Sequence, residues 1–170
     1  NLAVTGCDKT VSGEYDDVTV KDPCGTLTIA PGSIIKLLYI QFTSAATRPT
    51  AGSPLAISIV GVTIVTKLSA YNLEHTDLLL RDTTIGYLGE VPYSALYMTS
   101  PIDSTITFES VRIAAFVEAI WIYSAERTAI SMRDSIVDVT LSHHEDQEEV
   151  KAAIYVYRMT DSSLDIQRSQ

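Results

Sequence analysis

Two runs rich in Ile, Leu and Val fill the stretch SIIKLLYIQFTSAATRPTAGSPLAISIVGVTIVT, from Ser33 to Thr66, and a Thr-Arg-Pro-Thr-Ala-Gly-Ser-Pro connection separates them. Each run is shorter than the roughly 20 apolar residues that a membrane-spanning helix requires. β-Branched residues favour the pleated, half-buried surface of a sheet. Because both alternating faces of each run are largely apolar, the pattern predicts two strands that are covered on both sides.

Shorter segments of the same kind follow, separated by Gly and Pro. Thr83 to Leu88, Ser94 to Thr99 and Ser104 to Glu109 are strand candidates, and Pro31-Gly32 predicts a turn that ends the strand before it. Ser69 is a candidate N-cap for a short helix. No repeat period is apparent. We therefore expect an all-β, jelly-roll-like β-sandwich with at most one or two short helices, in a single domain spanning 1–170.

The charge balance excludes one class of partner. The chain has 21 acidic and 12 basic residues, giving a formal net charge of −9, and its Lys and Arg are scattered. Such a surface repels phosphate backbones. We expect no nucleic-acid partner and no membrane-spanning segment.

The N-terminal segment 1–25 is predicted to form an arm or first strand with a disulfide loop. Cys7 and Cys24 are 17 positions apart in turn-rich sequence, which in an oxidising compartment predicts a disulfide and in a reducing one predicts two free thiols. The chain begins at Asn1 rather than Met, as expected either after removal of a leader or at a trimmed end.

Acidic residues crowd the segment that the cysteines bracket. Oxygen-rich loops suit Ca²⁺, although the spacing matches no EF-hand, so the alternatives are a calcium site and a solvated acidic loop. The candidate ligands are Asp8, Glu14, Asp16, Asp17 and Asp22.

The sequence contains no recognisable catalytic motif. His143, His144, Glu145 and Asp146 form the most polar cluster, but adjacent His side chains on a strand point to opposite faces, which favours a solvated turn over a metal site. His75 has no His-Glu-x-x-His context. We therefore expect a protein that is not an enzyme.

Trp121 and the nine tyrosines raise the possibility of a sugar-binding platform. Trp121 lies in an apolar run, however, so the sequence predicts that it packs in the core.

The segment CGTLTIAPGSIIKLLYIQFTSA, which starts at Cys24, resembles secreted filament subunits in its order of strand, Pro-Gly turn and long apolar strand. The similarity, over residues 24 to 66, is to the archaeal bundling pilins and cannula proteins, and more distantly to the TasA/camelysin matrix fibre family. It implies a jelly-roll subunit completed by a strand from a neighbouring copy, in some cases with calcium at the contacts.

A secreted structural subunit is the function that these patterns favour. The alternating N-terminal residues Asn1, Leu2, Ala3, Val4 and Thr5 are the expected donor strand, because they have no hairpin partner in sequence. Identical copies would then polymerise into a pilus or matrix fibre at the cell surface. A viral jelly-roll coat subunit and a secreted binding module are the alternatives.

Overall fold

The computed structural model describes residues 1–86, 94–115, 118–139 and 152–170. Within these ranges the regular secondary structure consists of β-strands and one 3-10 turn at Ala45–Thr47. The strands, in chain order, are β1 Leu2–Val11, β2 Glu14–Ile29, β3 Ile34–Gln41, β4 Leu55–Val60, β5 Thr63–Ala70, β6 Thr76–Arg81, β7 Thr84–Ile85, β8 Ser94–Thr99, β9 Thr105–Glu109, β10 Arg112–Ala115, β11 Glu118–Tyr123, β12 Ala125–Glu126, β13 Ala129–Arg133, β14 Ile136–Val139, β15 Ala152–Val156, β16 Met159–Thr160 and β17 Ser163–Gln167.

The all-β expectation is confirmed, and the expected helix near Ser69 is wrong. Ser69 lies inside β5, and β6 begins at Thr76. All pairings between these strands are parallel. A jelly roll is built from antiparallel strands, so the jelly-roll part of the expectation is not confirmed.

The parallel strands form three ladders. Ladder A runs from the C-terminal part of β2 through β4, β6, β9 and β13 to β17. Ladder B joins the starts of β2, β3 and β5 to β7, β10 and β14. Ladder C joins later residues of β2, β3 and β5 to β8, β11 and β15. The chain passes through B, C and A in turn and then repeats, which is a coiled, solenoid-like path.

The length of one coil varies along the chain. The paired positions Ile57, Leu78, Ile106, Ile130 and Leu164 of ladder A are separated by 21, 28, 24 and 34 residues. The structure therefore repeats a coil of three ladders, but the coils differ in length, so the sequence has no constant repeat period.

Apolar side chains from all three ladders point inward and form one cluster. In β3 the register shifts between Ile35 and Leu37, so Ile35 shares the buried face with Leu38 and Ile40, while the adjacent Ile34 is 39% exposed. Leu37 and Tyr39 are only half-buried, on the outer face. The expectation that both faces of this strand are fully covered is therefore wrong, because the coil encloses the core on one side of each ladder.

A repeated corner joins ladder A to ladder B. Gly61 ends β4 with φ +63, and the corresponding corners of later coils also have positive φ. The corner residues before the last described coil each donate their backbone N–H to a carbonyl of the following coil, as Gly61 does to Arg81 at 2.9 Å. The corner residues after Gly61 are Asp82, Ser110, Asp134 and Arg168. The second apolar run of the sequence is thus two strands, since the chain turns at Gly61.

Buried hydroxyl groups occupy the positions after the corners. Thr76 donates its backbone N–H to Ser104 Oγ at 3.0 Å, and Val111 donates to Ser135 Oγ at 3.1 Å. These bonds satisfy backbone donors that the turning chain would otherwise bury without partners.

Candidate functional site: the two ends of the coil stack

Two of the five predicted calcium ligands accept hydrogen bonds within the protein. Asp8 Oδ1 accepts the backbone N–H of Thr26 at 3.0 Å. Asp22 accepts the Thr43 hydroxyl at 2.6 Å and its backbone N–H at 2.7 Å, as well as the Thr47 hydroxyl. The Thr43 and Thr47 hydroxyls, with the Thr43 N–H, hold the pKa of the Asp22 carboxyl below its usual value. Both carboxylates therefore anchor connections to neighbouring chain segments.

The other three candidates lie on β2. Glu14 and Asp16 are exposed, and Asp17 is half-buried. Among the residues that the structure describes, no group of three or more His, Cys, Asp or Glu side chains is placed to hold a metal ion. The structure therefore does not gather the predicted calcium ligands into a cluster.

Cys7 and Cys24 form a disulfide at the N-terminal end of the stack. They are paired positions of β1 and β2, with their Cα atoms 4.3 Å apart. β1 is also paired with β2 before the disulfide, where Leu2 lies opposite Val18. The predicted donor strand thus has a partner in its own chain, and this partner is a parallel strand rather than a hairpin partner.

The predicted histidine cluster, His143, His144, Glu145 and Asp146, lies outside the described residues. His75 is a corner residue with φ +44, and its backbone N–H donates to the Ile102 carbonyl at 2.8 Å. The position of His75 is explained by backbone structure.

Trp121 lies on the outer face of ladder C, contrary to the expectation that it packs in the core. Its neighbours in the strand, Ile120 and Ile122, are the buried residues. The Trp121 ring packs edge to face between Tyr97, at 5.7 Å between centroids, and Tyr155, at 5.5 Å. The same side of the ladder carries a stacked pair, Tyr123 and Tyr157, with centroids 5.0 Å apart. We call these five residues the aromatic row.

The C-terminal end of the stack exposes its interior. Leu164 and Ile166 continue the inward-facing series of ladder A, yet they are 38% and 48% exposed. Tyr157 and Met159 in the same coil are also exposed. In ladder C, the inward-facing Ile154 is only partly buried. This coil therefore presents an apolar surface along the axis of the stack.

Strand edges are free at both ends. Within the described chain, β15 pairs only with β11, β17 only with β13, and β1 only with β2. Each of these strands therefore has a second edge whose backbone N–H and C=O groups have no strand partner among the residues that the structure describes. We call β15 and β17 the C-terminal edge, and the free side of β1 the N-terminal edge.

Within the described ranges, no helix is long and apolar enough to cross a membrane. Comparison with protein-family models, with curated proteins and with solved structures found no match.

Proposed function

We propose that this protein is a structural subunit of an extracellular filament, in which identical copies join end to end by adding strands to one another. The observation that carries the proposal is the C-terminal coil, where inward-facing Leu164 and Ile166 are exposed beside free strand edges. An exposed apolar edge strand is a ready template for pairing with another chain.

The C-terminal end has free strand edges and exposed apolar side chains, and strand addition would cover both. A strand from another copy supplies hydrogen-bond partners to the free edge and covers the alternate apolar side chains. Because the two ends of one copy differ, the contact is head-to-tail and does not close on itself, so repeated addition builds a filament. The Cys7–Cys24 disulfide supports the extracellular setting, since disulfides persist in oxidising compartments.

Electron microscopy and sedimentation velocity of the purified protein over a range of concentrations would test this function. We expect filaments whose amount rises with protein concentration. Closed shells would favour the coat-subunit alternative instead. Monomers that persist at high concentration would contradict the proposal, because the exposed end would then have no homotypic partner.

A secreted binding module is the second candidate, and the aromatic row favours it. Rows of Tyr and Trp on an outer face are typical of recognition surfaces, because the rings combine apolar area with a polar group. If the row binds a glycan chain, the fluorescence of Trp121 should change on titration with soluble polysaccharides. The Trp121→Phe variant should lose that signal, and loss of binding by Tyr123→Ala, assayed by isothermal titration calorimetry, would confirm the surface used.

A further inference from the structure

We propose that β1 of one copy adds to β15 and β17 of the next copy while it remains paired with β2 of its own chain. This inference rests on the proposed function and names the two surfaces that would join. It differs from strand exchange, because no strand leaves its own subunit and the Cys7–Cys24 disulfide stays within one chain.

The order of the ladders agrees at the two ends. β1 pairs with the ladder C part of β2 through Leu2–Thr5 and with the ladder A part through Lys9–Val11. In the last coil, β15 of ladder C likewise precedes β17 of ladder A. Since all strands in both ladders are parallel, a second copy placed on the same axis continues each ladder in the same direction.

The inward and outward faces also agree. Following the paired positions through ladder C places Leu2 at the level of Ile154, and Val4 at the level of Val156. All four side chains are partly buried hydrophobics packed against the core. In this register the apolar side chains of both copies face the same interior, whereas a shift of one residue would turn one set outward.

The inward-facing positions also match in ladder A. Following the paired positions places Lys9 at the level of Leu164, and Val11 at the level of Ile166. Leu164 and Ile166 are exposed in the single copy. The apolar stem of Lys9 would cover Leu164, and Val11 would face the same interior as Ile166.

The register can be tested by cross-linking. Ala3 and Tyr155 lie at one outward-facing level of ladder C, so Ala3 of one copy would face Tyr155 of the next. Paired strands lie about 4.8 Å apart, which suits a disulfide. Within one chain the two residues are six strand spacings apart, or roughly 29 Å, and cannot be bridged.

The experiment uses the Ala3→Cys/Tyr155→Cys variant, oxidised under conditions where the unsubstituted protein forms filaments. We expect a ladder of covalent oligomers on a non-reducing denaturing gel. The matched control, Ala3→Cys/Ala153→Cys, moves one cysteine by two residues, to a diagonal distance of about 7–8 Å, and should give at least tenfold less cross-linking.

The outcomes separate the two proposals. Filaments with no cross-link in the Ala3/Tyr155 variant, or with equal cross-linking in the control, would overturn the register and leave the filament function standing. Absence of polymer in the unsubstituted protein would overturn the filament function and this interface together.

Discussion

Ile130 and Leu164 are directly paired positions on adjacent strands of ladder A, yet Ile130 is 2% exposed and Leu164 is 38% exposed. Both side chains point into the coil. The difference arises because strands lie on both sides of Ile130, whereas Leu164 has a described strand on one side only. The two residues thus occupy the same inward position with and without a following strand. Substituting each one measures how much the following strand contributes to burial.

The first prediction compares these probes in the monomer. Ile130→Ala should lower the free energy of unfolding by about 2–5 kcal/mol, because it removes buried volume from a packed interior. Leu164→Ala should cost less than half as much, because part of the side chain is already in water. Urea denaturation at low protein concentration measures both changes, and equal costs would show that Leu164 is already covered in the monomer.

The second prediction concerns assembly. Placing Asp at both Leu164 and Ile166 should abolish filaments while leaving the subunit folded, since two carboxylates would be buried at the joint between copies. The control places Asp at Ser163 and Gln167, which face outward because they pair with the exposed Ala129 and Arg133. This control should still polymerise. Sedimentation and circular dichroism separate loss of assembly from loss of folding. Normal filaments from the Leu164/Ile166 variant would exclude this end as the contact.

The third prediction distinguishes strand addition from strand exchange through the disulfide. If β1 stays with its own β2, filaments dissolved in denaturant without reductant should run as monomers, because Cys7 and Cys24 belong to one chain. If β1 is exchanged in the same register, Cys7 would join Cys24 of a neighbour and the filament would remain covalent. A non-reducing denaturing gel therefore decides between the two.

The disulfide should also stabilise the subunit, which is the fourth prediction. Replacing Cys7 and Cys24 by Ser should lower the free energy of unfolding by about 3 kcal/mol, as expected for a link across 17 residues. Urea denaturation with and without the double substitution measures this. A change below about 0.5 kcal/mol would show that β1 and β2 stay close together in the unfolded chain even without the disulfide.

The fifth prediction concerns acid. The pKa of Asp22 is lowered by hydrogen bonds from Thr43 and Thr47, so its stabilisation is fully present above its ordinary value of 3.8. That stabilisation is lost as the pH falls through the lower folded-state pKa. The difference in melting temperature between the native protein and Asp22→Asn should therefore be constant near pH 7 and shrink below about pH 4. A difference that grows on acidification would contradict this linkage.

Local sequence signals predicted part of this fold. The β-branched runs were correctly interpreted as strands, and the chain turns after β2 at Pro31-Gly32, where Gly32 has φ +80. The predicted helix near Ser69 was wrong because Ser69 lies in β5, where it pairs with β3 on one side and β8 on the other. The prediction that Trp121 packs in the core was wrong because successive side chains of a strand point to opposite faces, and only one face of this strand is covered by the core.

The sequence by itself determined that the chain forms strands, where many of them lie and how strongly they alternate, because these properties depend on residues close together in the chain. Only the tertiary structure decided that the strands pair in parallel between coils, 16 to 34 residues apart. Such pairing has no local turn signal, and coils of unequal length leave no period to detect. The exposure of Leu164 was likewise invisible in the sequence, because burial depends on which strand lies above it and Leu164 has the same inward position as Ile130.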